Sequence, residues 1–271
     1  MGFLLAKDVR ILKIRQHLYG EGYSSVQSIA EAVGASVATV RRDLHDLEES
    51  GAIVRDHGGA RISDRIGVEV AFELREQQNL AEKRAIAGAA YNLITPNSSI
   101  FLDAGTTVYQ LARRLRLDPM PLEVFSNCVT IAQALLNVPG ITVTLLGGRL
   151  RPKNASMVGN LTENALDSLW FDQLYLGGGA IADDACIYSL DSDEARINAK
   201  MLTRATEAHL LADASKFGQR QTYRVAELSK NINVVTDSNI SEEWAKRLAK
   251  MGCNPLVVDL IAAPIKLAES T

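Results

Sequence analysis

The spacing of apolar residues changes character about a quarter of the way along this 271-residue chain. Over the first 62 residues it is helical: Val9, Ile11, Leu12, Ile14 and Leu18 recur at helical intervals before Gly20 and Gly22, predicting a helix over 7–20. In SSVQSIAEAVGAS, Ser24 or Ser25 suits an N-cap, Val26, Ile29, Ala30 and Val33 form one buried face, and Gly34 suits a left-handed turn. A third helix is expected from Ser36, another good N-cap, to Gly51, a good residue just past a C-terminus. AIVRDHGGARIS then reads as two short strands around a turn at His57-Gly58-Gly59. Three helices, the last two joined by a tight glycine turn and followed by a hairpin, make the pattern of a winged helix-turn-helix.

Residues 63–80 are charged and only loosely periodic, as a linker or connecting helix would be. From Ala81 the rhythm alternates. Helical AEKRAIAGAAYNLI leads to strand IFLDAG, helix TTVYQLARRL, strand LEVFSN, helix CVTIAQALLN and strand ITVTLLGG. A helix around 159–170 is followed by strand DQLYLGGG, helix DSDEARINAKMLTRATE, strands HLLAD and INVVTD, helix SEEWAKRLAKMG and strand PLVVDL. Apolar strands alternating with amphipathic helices predict an α/β domain with a mostly parallel sheet covered on both faces. The expected organisation is a DNA-binding-type module over 1–62, a linker over 63–80, an α/β domain over 81–260 and a tail over 261–271.

Composition narrows the class without naming a partner. With 47% hydrophobic and 23% charged residues, disordered and collagen-like classes are excluded. The net charge of −3 does not announce nucleic acid, and residues 1–62 carry eight Lys/Arg against eight Asp/Glu. Any contact with DNA therefore has to rest on where charges point. Cys128, Cys186 and Cys253 are widely spaced, with no CxxC pair, and read as reduced core residues. No apolar run approaches a membrane span, and the start MGFLLAKDVR passes into charged helix rather than a signal-peptide core, so a cytoplasmic protein with no membrane partner is expected.

On a helical wheel, SVATVRRDLHDLEESG divides its charges by direction. Val37, Val40, Leu44 and Leu47 gather on one side, Ala38, Arg42 and His45 fall opposite, and Thr39 and Arg41 lie on the flanks. Arginine grips phosphate or the guanine edge with its fork, and the N-terminal turn of a recognition helix is the part that reaches bases. Ser36 and Thr39 add hydroxyls for phosphate, and Arg55 and Arg61 extend from the wing. The plainer reading, a solvated helix face, stays open on charge alone. Asp43 falls on the core side, where a partner such as Arg10 would hold it.

In the second region, the turns that follow strands concentrate small and polar groups. Asp103-Ala104-Gly105 leaves a strand and enters a helix at Thr106-Thr107, a combination suited to an anion. Ser126-Asn127, Gly147-Gly148, Gly177-Gly178-Gly179 and Asp213-Ala214-Ser215-Lys216 end other strands. In an open parallel sheet these share one edge and can form one ligand crevice. Each turn by itself has the simpler meaning of turn chemistry.

Arg10, Ile14 and Leu18, followed after a gap of seventeen residues by Ser36 and then Thr39-Val40-Arg41-Arg42-Asp43-Leu44, resemble the signature of the DeoR/GlpR family of bacterial transcription regulators. DAGTT, SN, LLGGRLR, LGGG and ADASKFG resemble the effector domain of the same family, to about residue 260. The resemblance implies a fold similar to ribose-5-phosphate isomerase and coenzyme A transferases. It implies a phosphorylated sugar or related effector at Asp103, Gly105, Thr106, Thr107, Asn127 and Lys216. Ser126, Gly177 and Gly178 join them from the neighbouring turns, with Arg149 and Arg151 in a loop that covers the site or changes conformation.

The function expected is a repressor of a sugar-catabolic operon, released from double-stranded operator DNA by its effector, with no cofactor and no metal. It is expected to act as a homodimer or homotetramer, since one winged module offers little contact and paired modules read paired half-sites. The alternative is a sugar-phosphate isomerase with an accessory DNA-binding module, for which Asp103 and Asp213 are the carboxylates available. It leaves the first 62 residues without a purpose. His17 and His209 are read as satisfied surface or packing histidines, and Trp170 and Trp244 as helix-face packing. Asp183, Asp184, Asp191 and Asp193 resemble a metal site only loosely and read as a solvated loop.

Overall fold

The first apolar stripe closes a small three-helix core. In the computed structural model, which describes residues 6–49, 52–56, 58–62, 72–253 and 255–260, α1 spans Ala6–Glu21 and buries Ile14 and Leu18. Val9, expected on the buried face, is exposed. A two-residue strand, β1 (Ser24–Ser25), precedes α2 (Val26–Val33), whose amide at Ser28 donates to Ser25 Oγ at 3.1 Å. Gly34 ends α2 with φ of 67°, a conformation that a residue with a Cβ adopts at a cost. α3 (Val37–Glu49) packs Val40, Leu44 and Leu47 against Ile14, Leu18 and Ile29. The hairpin β2 (Ile53–Asp56) and β3 (Gly59–Ile62) pairs Ile53 with Ile62 and Asp56 with Gly59. β1 adds to β3, so the sheet has the order β1-β3-β2, one strand more than the apolar pattern indicates. Gly51 and His57 lie outside the described residues. Within the stretch read as a linker, Phe72–Gln77 forms helix α4.

The chain forms two compact units, Met1–Gln78 and Asn79–Thr271. The second begins with α5 (Leu80–Tyr91) and continues through β4 (Ser99–Leu102), α6 (Thr106–Leu117), β5 (Leu122–Ser126), α7 (Val129–Leu135) and β6 (Ile141–Leu145). A hairpin of β7 (Arg149–Arg151) and β8 (Ser156–Val158) and the helix α8 (Asn160–Asp167) follow. Then come β9 (Phe171–Gly177), β10 (Ala180–Ile181), β11 (Cys186–Ser189), α9 (Ser192–Leu202) and β12 (Ala205–Leu211). A short 3-10 turn at Ala214–Lys216 leads to β13 (Tyr223–Glu227), β14 (Ile232–Asp237), α10 (Glu242–Lys250) and β15 (Leu256–Val258).

Seven of these strands form one sheet, in the order β15-β14-β12-β9-β4-β5-β6, and every pairing in it is parallel. Alternation along the strands sends side chains to two cores. Ile100, Leu102, Val124 and Tyr175 meet α5, α6 and α7 on one face, while Phe101, Leu174, Leu176 and Leu210 meet Ile197, Met201 and Leu248 of α9 and α10 on the other. The chain runs outward from β4 to β6, returns to β9 on the other flank of β4, and runs outward again to β15. The order therefore reverses between β4 and β9, and the crevice beyond their carboxyl ends is the switch point of an open α/β sheet.

Three expectations change. The helix read through Glu207 stops at Leu202, because the Arg204 carbonyl accepts from Phe171 N at 2.9 Å and Ala205 pairs with Phe171 in the sheet. Residues 149–158, read as a loop, are the β7–β8 hairpin. Trp170 is exposed rather than packed on a helix, its indole donating to Thr206 Oγ1 at 2.9 Å, whereas Trp244 packs against Phe217. His209 is a packing histidine as expected, buried and stacked on Tyr175 with ring centroids 4.9 Å apart, its Nε2 3.5 Å from Glu207 Oε1 in a loose contact. Burial pushes its imidazole below the usual range, with Glu207 opposing. All three cysteines are free and buried.

Candidate functional site

Two places gather the predicted residues, one in each unit. In the first, α3 is seated by an ion pair: Arg10 Nε and Nη2 on α1 donate to Asp43 Oδ2 at 2.5 Å and Oδ1 at 3.2 Å. Asp43 is 2% exposed, so its charge is removed from the outer surface of the helix. The exposed side then carries Ala38, Arg41, Arg42 and His45. Ser36 Oγ accepts from Thr39 N at 3.2 Å and shares a 2.8 Å hydrogen bond with Thr39 Oγ1, which caps the helix and anchors both hydroxyls at its N-terminus. Lys7 Nζ binds Asp46 at 2.7 Å, so a second carboxylate is offset on the same helix. Arg42 shares a shallow depression with Lys7, Thr39 and His45. On the wing, Arg55 lies 3.8 Å from Glu48, a loose exposed pair, and Arg61 is half-buried on β3.

Replacing Asp43 with alanine is expected to lower stability by about 1–3 kcal/mol, since it strips a buried acceptor from Arg10. Denaturant unfolding measures this. Unchanged stability with equally raised affinity for every DNA sequence would overturn the seating role.

The second place is the switch-point crevice. Asp103 N donates to the Tyr175 carbonyl at 3.0 Å and Asp103 Oδ2 accepts from Gly177 N at 3.0 Å, which ties the ends of β4 and β9 together. A Cβ on Gly105 would stand 3.1 Å from Gly177 Cα, and one on Gly177 would stand 3.1 Å from Gly105 Cα, so the two backbones approach more tightly than most side-chain-bearing residues do. Gly105 opens α6 with no side chain to cap it, and Thr106 and Thr107 are buried in its first turn. Asn127, after β5, is buried with Nδ2 3.3 Å from the Met157 carbonyl and with Oδ1 unpartnered among the described residues. Asp213, after β12, takes Ser215 N at 3.1 Å and Asn79 Nδ2 at 3.0 Å on Oδ1, and its Oδ2 is buried without a partner. Buried orphan acceptors are rare in folded proteins. Here they sit on the edge of the sheet where loops converge, and they match the donors of a polyhydroxyl ligand. Lys216 is half-exposed in the turn after Asp213.

Other predicted residues have internal duties. Ser126 is fully buried, donates to the Leu102 carbonyl at 2.6 Å and accepts from Cys128 N at 3.0 Å, so its hydroxyl fastens β5 to β4. Gly178 N donates to the Leu211 carbonyl at 3.3 Å. Arg151, expected in a covering loop, lies on β7 and is 7% exposed, its Nε 3.0 Å from Asp191 Oδ2 and its Nη1 3.3 Å from Glu194 Oε1. Arg149 pairs with Asp193 at the surface. The acidic group read as a solvated loop is likewise engaged: Asp191 caps α9 through Asp193 N and Glu194 N, and Asp184 accepts from Tyr188 Oη at 2.6 Å. Tyr188 and the Cys186 amide hold the Asp184 carboxyl below its usual range against the effect of burial. Among the described residues no group of three His, Cys, Asp or Glu is arranged to hold a metal. Asn79 is a residue of the crevice that the sequence pattern does not single out. At the start of α5 it turns its amide to Asp213. The signal available was an asparagine at a helix start followed by Glu82 three residues on, a capping pattern whose side chain serves a neighbour instead.

The family description "DeoR C terminal sensor domain" matches residues 78–238, and "DeoR-like helix-turn-helix domain" matches residues 10–65. The chain belongs to the DeoR family. Within that family it is 35% identical over 238 residues to the HTH-type transcriptional regulator GlpR of Haloferax volcanii, covering 88% of this chain and 92% of that protein. It is 31% identical over 245 residues to the lactose phosphotransferase system repressor of Streptococcus mutans, covering 89% and 96%. Of the two readings the sequence left open, membership of the DeoR family selects the regulator over the enzyme. A solved ribose-5-phosphate isomerase A from Methanocaldococcus jannaschii aligns with a TM-score of 0.37 at 16% identity, covering 50% of this chain and 53% of that one, too slight a likeness to bear on function.

Proposed function

We propose that this DeoR-family protein is a cytoplasmic repressor that grips operator DNA with α3 and the wing and lets go when a phosphorylated sugar fills the switch-point crevice. The observation that carries the DNA half is the sorting of charge on α3: both arginines face outward while Asp43 is locked inward by Arg10. In the crevice, the uncapped start of α6 and Lys216 suit the phosphate, while Asn127 and Asp213 suit sugar hydroxyls. A homodimer or homotetramer presents two such helices to two half-sites. Occupancy alone does not release DNA; the ligand has to bind one arrangement of the protein more tightly than the other.

A mobility-shift assay on DNA upstream of its own and neighbouring genes, with and without pentose and hexose phosphates, tests the reading. Specific retention lost on adding one sugar phosphate is expected, and Lys216→Ala is expected to keep the retention and lose the response. Binding no better than to random DNA, or turnover of a sugar phosphate by the purified protein, would overturn it.

A further inference from the structure

The oligomer in that reading needs an interface, and one edge of the large sheet has the composition for it. β6 is the outermost strand on its side, with β5 its one partner among the described residues. Exposed edges are ordinarily protected by lysine, proline or a bulge. The five residues of β6, Ile141-Thr142-Val143-Thr144-Leu145, contain none of these.

Charge is sparse along this stretch and stands at its margins, with exposed Glu123 on β5 beside Thr142 and Arg116 donating to the Ala134 carbonyl of α7 at 2.7 Å. Between Glu123 and Arg149 lie 25 consecutive residues without a single Asp, Glu, Lys, Arg or His, in a chain that is 23% charged. Those residues include β6 and α7 beside it, and Leu136, at the end of α7, is 63% exposed. Depletion of charge is the compositional mark of an interface centre. Paired through this edge, two copies set no charged β6 side chains opposite one another. Sixteen of the twenty residues 129–148 are at least partly exposed, which approaches the roughly 20–30 residues a side of a stable interface.

The strand is also its own complement. Reversed, aliphatic-Thr-Val-Thr-aliphatic reads the same. In an antiparallel pair of two copies centred on Val143, Thr142 faces Thr144, Ile141 faces Leu145 and Val143 faces itself, so the hydroxyls share one face and the aliphatics the other. Ile141 and Val143 already pack at the margin of the core beneath α6 and α7, so the aliphatic face would continue that core across the axis.

We infer that β6 is the strand through which a second copy of this chain adds, antiparallel and centred on Val143, joining two seven-stranded sheets into one of fourteen. This extends the oligomer reading above by naming its surface.

The test uses the full-length protein. Thr144→Lys sets a charge into the pair twice and is expected to weaken one assembly step by about 100-fold in sedimentation over a concentration series, with the circular dichroism melt preserved. Val143→Cys is expected to form a covalent dimer under mild oxidation, because a residue on the axis meets its own copy at disulfide distance. Thr142→Cys should crosslink only when mixed with Thr144→Cys. Assembly undisturbed by Thr144→Lys, absence of the Val143→Cys crosslink, or dissociation caused instead by Leu256→Lys on the opposite edge would overturn the inference while leaving the oligomer intact. A wild-type chain that is monomeric at every concentration would overturn the oligomer reading as well.

Discussion

Arg42→Ala is expected to lower affinity for operator DNA by about 10- to 100-fold per half-site, the loss of one two-pronged base contact, while leaving the melting temperature nearly unchanged. The side chain is exposed on α3 and makes no core contact, so its removal falls within the small range of surface substitutions. Arg41, on the flank, is the internal comparison. If it touches phosphate, Arg41→Ala weakens specific and random DNA alike and reduces the salt slope by about one, whereas Arg42→Ala erases preference between sequences. Titrations at two salt concentrations separate the two. A loss of both stability and DNA binding in Arg42→Ala would make it a folding residue.

The second large effect is expected at Asp103. Asp103→Ala leaves the Gly177 amide without its acceptor at the join of β4 and β9 and is expected to cost about 1–3 kcal/mol. It should also produce a protein that holds DNA whether or not sugar phosphate is present. Asp103→Asn keeps an oxygen to accept from Gly177 and should restore stability, while the changed charge still blunts the response. Thermal melts with and without ligand, beside mobility shifts, read both quantities. A full ligand-induced stabilisation in Asp103→Ala would move the ligand away from the switch point.

Helical periodicity made the first unit legible almost in full, because its core is built from i, i+3, i+4 contacts that depend on near neighbours in sequence. The inward turn of Asp43 could be read from the wheel, and its partner Arg10 followed from charge. What escaped was non-local. β1 is strand only because β3 lies beside it, and Ala205–Glu207 leaves the helix only because Phe171 offers a ladder. The strand-end turns announced a crevice. Which groups within it are free to meet a ligand depended on pairings across tens of residues, such as Ser126 with Leu102, Arg151 with Asp191 and Asn79 with Asp213. A motif marks Ser126 and Asn127 equally. Three dimensions spend the serine internally and leave the asparagine an open acceptor.

The Arg10–Asp43 clasp has a consequence for how such a protein diversifies. Because α3 is held from its inner side, the exposed side chains of Ala38, Arg41 and Arg42 carry little of the fold. If α3 reads DNA as proposed, Ala38, Arg41, Arg42 and His45 would be an address that can be rewritten by exchange of a few side chains, while the mount beneath stays the same. Gene duplication followed by drift at those four positions would give a sister protein a new set of genes to control before any change in the signal it senses, and the same four positions are where an engineer would begin.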